Sequence, residues 1–110
     1  MNYKILLTVC FEKELKRLAK KFPSLKVDFS KLVTELSLKP LSGDSLGNNC
    51  YKVRVAVSSK GKGKSGGARV ITYIYFEKET IYLLTIYDKS EMQDLKPNEL
   101  KEMIQNLPFD

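Results

Sequence analysis

Apolar residues recur with the period of a strand in some stretches and of a helix in others, and their order sketches the chain. Residues 4–10, KILLTVC, predict a strand. A helical period follows, with Phe11, Leu15, Leu18, Ala19 and Phe22 on one face and Lys13, Lys16, Arg17, Lys20 and Lys21 on the other. Pro23 stops this helix, and Ser24 is placed to cap the next. Leu25, Phe29, Leu32, Val33 and Leu36 form the second apolar stripe, ended by Pro40. The two helices make a hairpin whose apolar faces need a sheet to pack on. Residues 41–49, LSGDSLGNN, read as loop. Tyr51, Val53, Val55 and Val57 alternate with Lys52, Arg54 and Ala56, the signature of a strand with one buried face.

After the flexible tract 58–67, SSKGKGKSGG, residues 68–76 and 81–87 are β-branched and aromatic and read as a strand pair joined by the EKET turn. Pro97, Leu100, Met103, Ile104 and Leu107 mark a last helix. The order β-α-α-β-β-β-α predicts an α+β fold, a small, mostly antiparallel twisted sheet with the helical hairpin on one face. At 110 residues the chain has room for one domain, 1–110, and shows no internal repeat. No apolar run reaches the ~20 residues of a membrane span, and the first residues lack the flanks of a secretory signal, so a cytoplasmic protein with no membrane partner is expected.

Charge changes the picture. The net charge is +6, and between Ser45 and Phe76 stand Lys52, Arg54, Lys60, Lys62, Lys64 and Arg69 without one acid. The remainder is neutral, so one central segment carries the whole excess. Scattered lysines would serve solubility, whereas a block free of acids suits a polyanion. Histidine is absent altogether. That excludes imidazole triads, His/His ribonuclease chemistry and His-ligated zinc. Cys10 and Cys50 lack the neighbours of a zinc site and read as buried free thiols. No metal and no cofactor are expected.

Gly63-Lys64-Ser65 imitates the end of a Walker A loop, but the first glycine of that motif would fall at Ser58. A phosphate loop must also open into a helix, and here a strand follows. The tract reads better as a hairpin tip on which glycines let Lys60, Lys62 and Lys64 approach a phosphate chain. A solvated loop is the plain alternative.

The run from Leu46 to Lys89, with Leu46-Gly47 before the basic strand, the tract SSKGKGKSGGAR and Tyr87-Asp88-Lys89, resembles the HigB branch of the RelE/ParE toxin superfamily. The helical hairpin sits where that family has its own, so the likeness covers nearly the whole chain. It implies the toxin of a type II toxin–antitoxin pair, a ribosome-dependent endoribonuclease that cuts messenger RNA. The implied partners are the ribosome, mRNA and an antitoxin protein, expected to carry a helix-turn-helix domain. Without histidine, proton transfer falls to Tyr87 or Asp88. Part of the superfamily inhibits DNA gyrase, so a gyrase inhibitor is one alternative. A non-catalytic basic nucleic-acid-binding module is another.

Metal-free RNA cleavage uses the 2′-hydroxyl on the adjacent phosphate, and cations aimed at the developing charge supply the largest share of catalysis. Arg69 is the expected clamp because its planar fork matches two phosphate oxygens. Its place at a strand start beside the flexible tract sets it outside the core. Lys52 and Arg54, two apart on one strand, point the same way ~7 Å apart, as neighbouring phosphates require. A solvated strand face would show the same spacing. With EKET as the turn, Phe76 opposes Ile81, Val70 opposes Tyr87, and Arg69 opposes Asp88 on a shared face. Asp88 is then a proton acceptor beside the clamp or a plain ion pair, and Tyr87 faces away unless a bulge turns it. Lys89 is a further phosphate contact.

Overall fold

The computed structural model describes residues 2–61, 63–91 and 95–107. Its elements are β1 (Lys4–Leu7), α1 (Val9–Lys21), α2 (Leu25–Leu38), β2 (Asp44–Gly47), β3 (Cys50–Val55), β4 (Ala68–Tyr75), β5 (Thr80–Asp88) and α3 (Pro97–Gln105). The five strands form one sheet in the order β1-β5-β4-β3-β2. All neighbours are antiparallel except β1, which lies parallel to β5. Among the described residues no helix is long and apolar enough to cross a membrane.

One sheet face carries Val53, Val55, Val70, Ile74, Ile81, Leu83 and Ile86 against Phe11, Leu18, Leu25, Leu32 and Leu36 of α1 and α2. The other carries Cys50, Ile71, Tyr82, Leu84 and Tyr87 against Leu100 of α3 and Leu107 beyond it. Burying both faces explains the nearly unbroken apolar runs of β4 and β5.

The first strand is shorter than the expected 4–10. It ends at Leu7 because Thr8 caps α1, its hydroxyl accepting from the Phe11 amide at 3.1 Å and reaching the Leu83 and Leu84 carbonyls at 3.0 and 3.1 Å. The helix therefore begins at Val9, and Cys10, expected to be buried, is exposed on it. Ser24 precedes α2 but makes no side-chain capping bond; its hydroxyl donates to Asp28 at 2.7 Å. The 41–49 loop contains β2, turned onto β3 by Asn48 and Asn49 at φ of 52° and 63°. Consecutive left-handed residues are what a two-residue hairpin loop demands, and asparagine tolerates them.

The β4–β5 register also differs from expectation. The chain turns through Phe76–Lys78 and Glu79, so Tyr75 faces Thr80 and Ile74 faces Ile81. A bulge between Ile71 and Thr72 then shifts the pairing by one, leaving Arg69 opposite Tyr87 and Ala68 opposite Asp88. A bulge of this kind re-aims every side chain beyond it.

Candidate nucleic-acid interface

Three rows cross the sheet on the α3 side: Arg54–Arg69–Tyr87, Lys52–Ile71–Thr85 and Cys50–Tyr73–Tyr82. Paired residues share a face, so Lys52, Arg54, Arg69 and Tyr87 stand together. Arg54 is exposed at the rim and Lys52 is half-buried. Two arginines side by side on adjacent strands repel unless something offsets their charge.

For Arg69 that something is the basic tract. The side chain is 4% exposed, so the expectation of a residue outside the core does not hold. Its Nη1 donates to the carbonyls of Lys64 at 2.9 Å and Ala68 at 3.1 Å, and Nη2 donates to that of Ser65 at 3.1 Å. The fork thus closes the loop on itself. Gly67 completes the closure: a Cβ there would run into the Val55 carbonyl oxygen, so only glycine passes, and its own carbonyl accepts from the Lys89 amide at 3.2 Å.

Asp88 does not meet Arg69. Its side chain lies on the helical-hairpin side, 1% exposed, where Lys60 Nζ approaches Oδ1 at 2.6 Å and the Ser90 amide donates at 3.1 Å. Lys21 Nζ stands 3.7 Å from Oδ2, an oxygen that is buried without a hydrogen bond. Burial pushes this carboxyl up, but Lys60 and Ser90 outweigh it and hold it below the usual carboxylate range. Lys60 is correspondingly enclosed, its side chain 9% exposed and its ammonium 5.3 Å from the Phe22 ring centroid. The bulge, together with a turn that begins one residue earlier than expected, is why the expected Arg69–Asp88 pair is absent.

Of the remaining expected contacts, Lys64 and Lys89 are exposed and Lys62 lies outside the described residues. The structure brings Lys52, Arg54, Arg69 and Tyr87 together and separates Asp88 and Lys60 from them. Tyr87 itself is 4% exposed and belongs to the same buried cluster as Cys50, Ile71 and Leu84. Burial pushes the Cys50 thiol up to about 11, which removes it as a nucleophile.

Sequence reasoning missed Asp28. This carboxylate is 6% exposed on α2 and accepts from Ser24 Oγ at 2.7 Å, the Ser58 amide at 3.0 Å and Ser58 Oγ at 2.8 Å. Burial pushes its pKa up, and those three bonds bring it down below the ordinary value. The signal was available: Asp28 falls between Leu25 and Leu32 on the buried stripe, where an acid needs partners. Beside it a cleft of about 160 Å³ gathers Lys31 of α2 with Arg54 and Lys64. Among the described residues no three His, Cys, Asp or Glu groups converge.

The fold is that of solved toxins. An arginine double mutant of the E. coli toxin RelE in the free state superposes with a TM-score of 0.64 at 15% identity, covering 97% of this chain and 99% of that one. The isolated E. coli RelE toxin gives 0.60 at 16% identity over 96% and 99%. The toxin chain compared in the toxin–antitoxin complex RelBE2 from Mycobacterium tuberculosis gives 0.59 at 20% identity over 80% and 99%. At the level of sequence, the model described as the RelE toxin of the RelE/RelB toxin–antitoxin system matches residues 7–107, a coarser match than the HigB branch. This chain belongs to the RelE toxin family.

Proposed function

We propose that the chain is a ribosome-dependent endoribonuclease that cuts messenger RNA by attack of the 2′-hydroxyl, without a metal ion, and that a cognate antitoxin holds it silent in the cytoplasm. The observation that carries this reading is the register row Arg54–Arg69–Tyr87 with Lys52 one row away on the same face. It puts cations at the spacing of neighbouring phosphates in one row with a tyrosine. The antitoxin is supported by family membership and by the toxin–antitoxin complex among the structural relatives.

In this reading Arg54 and Lys52 hold the phosphates flanking the cut, and their charge offsets what develops on the pentavalent phosphorus. Lys64 and Lys89 extend the track. Arg69 acts chiefly as a positioning residue, because its fork is committed to the loop carbonyls. The 2′-oxygen bonds to phosphorus as its proton passes to water, the bond to the 5′-oxygen breaks, and Tyr87 delivers a proton to that leaving oxygen. Asp88 and Lys60 hold the loop from below. No acid occurs between Ser45 and Phe76, so the phosphate track offers no carboxylates of the kind that hold paired metal ions.

The test is the chemistry of the ends after brief induction. The upstream fragment should end in a 2′,3′-cyclic phosphate or its 3′-phosphate product, the downstream one in a 5′-hydroxyl. A 2′-deoxy residue at the cut should block cleavage, and Tyr87→Phe should slow it about 10²- to 10⁴-fold, the usual worth of a positioned acid. Ends carrying 5′-phosphate would overturn the mechanism. Intact transcripts with halted growth would instead favour gyrase inhibition or binding by occupancy.

A further inference from the structure

On the same face as the phosphate track, two rows from Arg69 along β4, lies a second open cleft of about 390 Å³ that none of the residues discussed as contacts lines. Its walls are Asn48 and Asn49 at the β2–β3 turn, Tyr73 of β4, and Lys101, Ile104 and Gln105 of α3. The Asn49 carbonyl accepts from the Ile74 amide at 2.9 Å, which pins the turn against β4. Lys101, Ile104 and Gln105 are spaced i, i+3 and i+4, so one helix face supplies all three. Tyr73 is half-buried between them.

We infer that this cleft is a nucleobase subsite for a single-stranded RNA lying along the sheet. The inference rests on the proposed function and extends it to sequence preference. A half-buried aromatic ring beside an apolar side chain is the stacking surface that single-stranded bases use. Three side-chain amides, from Asn48, Asn49 and Gln105, offer both donors and acceptors, which is what reading a base edge requires. Lys101 supplies the charge for the attached phosphate, and no acid lines the cleft. The place also fits. Tyr73 and Arg69 are four residues apart on one strand, about 13 Å. That is two steps along an extended strand whose phosphates rest on Lys52 and Arg54. The subsite therefore reads the base two positions from the cut.

The test uses four nine-residue oligoribonucleotides, one of each base, with 2′-methoxy groups throughout so that none is cleaved. Wild-type chain should bind them with unequal affinity. Tyr73→Leu and, separately, the double variant Lys101→Ala with Gln105→Ala should lower affinity for the preferred one at least about fivefold and level the four. The double variant sits on an exposed helix face, so it serves even if Tyr73→Leu fails to fold. In parallel, cut ends from induced cells should keep their chemistry in the double variant but lose base preference two positions from the cut. Variants that bind and cut with the wild-type preference would overturn the subsite and leave the proposed function standing. A wild-type chain that binds none of the four oligomers would overturn the subsite, and cut ends in the cells would decide the function independently.

Discussion

Asp88 is nearly fully buried, carries one oxygen without a hydrogen bond, and depends on Lys60 for its charge. Removing one member of a buried ion pair strands the other, at a cost of about 3–5 kcal/mol. Asp88→Ala should therefore destabilise the chain by about 3 kcal/mol, and adding Lys60→Met should restore part of the loss, measured by denaturant unfolding of the two singles and the double. If the single and double variants are equally unstable, the pair is not coupled as described. The pH dependence has a definite sign. Asp28 and Asp88 both have folded pKa values below the ordinary one, so their stabilisation is complete above the unfolded value of about 4. It is lost as pH falls through the lowered values. Asn at both positions should flatten the stability profile between about pH 5 and pH 2. At this scale the sequence was half legible. Lys52 and Arg54 share a face by the period of a strand alone. The partners of Arg69 and Asp88 depended on where the β4–β5 turn begins and on a one-residue bulge, neither of which leaves a mark in composition.

At the scale of elements, the basic tract is held far more tightly than its SSKGKGKSGG composition suggests. Asp28 grips Ser58, Asp88 grips Lys60, Arg69 grips the carbonyls of Lys64 and Ser65, and the Lys89 amide grips Gly67. Arg69→Ala would leave two loop carbonyls without their donor, costing about 1–3 kcal/mol where they are cut off from water. Hydrogen exchange across residues 64–67 should accelerate in Arg69→Ala and also in Arg69→Lys, which keeps the charge but not the fork. Unchanged exchange in the lysine variant would show that charge alone orders the tract. Thr8 is the corresponding hinge between β1 and α1. Thr8→Val preserves shape and removes the cap, and should lower Tm by about 5–10 °C. Both devices were hidden in the sequence for one reason. Glycine-rich and β-branched residues advertise loop and strand, while the long-range bonds that fix them come from side chains dozens of positions away.

For the whole molecule, the question is whether total charge or its placement governs binding. The excess of +6 could act as a diffuse field, in which case any lysine counts equally. The fold argues for placement. Arg54 is exposed on the α3-side face of the sheet, and Lys64 and Lys89 are exposed on the segments flanking β4 and β5, whereas Lys13, Lys16 and Lys20 are exposed on α1, which packs on the opposite face. The order of helices and strands was readable because apolar periodicity dictates it, and the acid-free segment pointed to the sheet. Which face of the sheet those cations occupy was decided by strand pairing, which composition does not show. Each phosphate contact to a single strand adds about 0.7 to the slope of log affinity against log salt. Changing Arg54, Lys64 and Lys89 together to Ser should therefore reduce the slope by about 2 on an uncleavable 2′-methoxy RNA. Changing Lys13, Lys16 and Lys20 to Ser removes the same three charges and should leave the slope as it was. Equal reductions from the two triples would mean that the chain binds RNA through its net charge, and the sheet face would lose its standing as the interface.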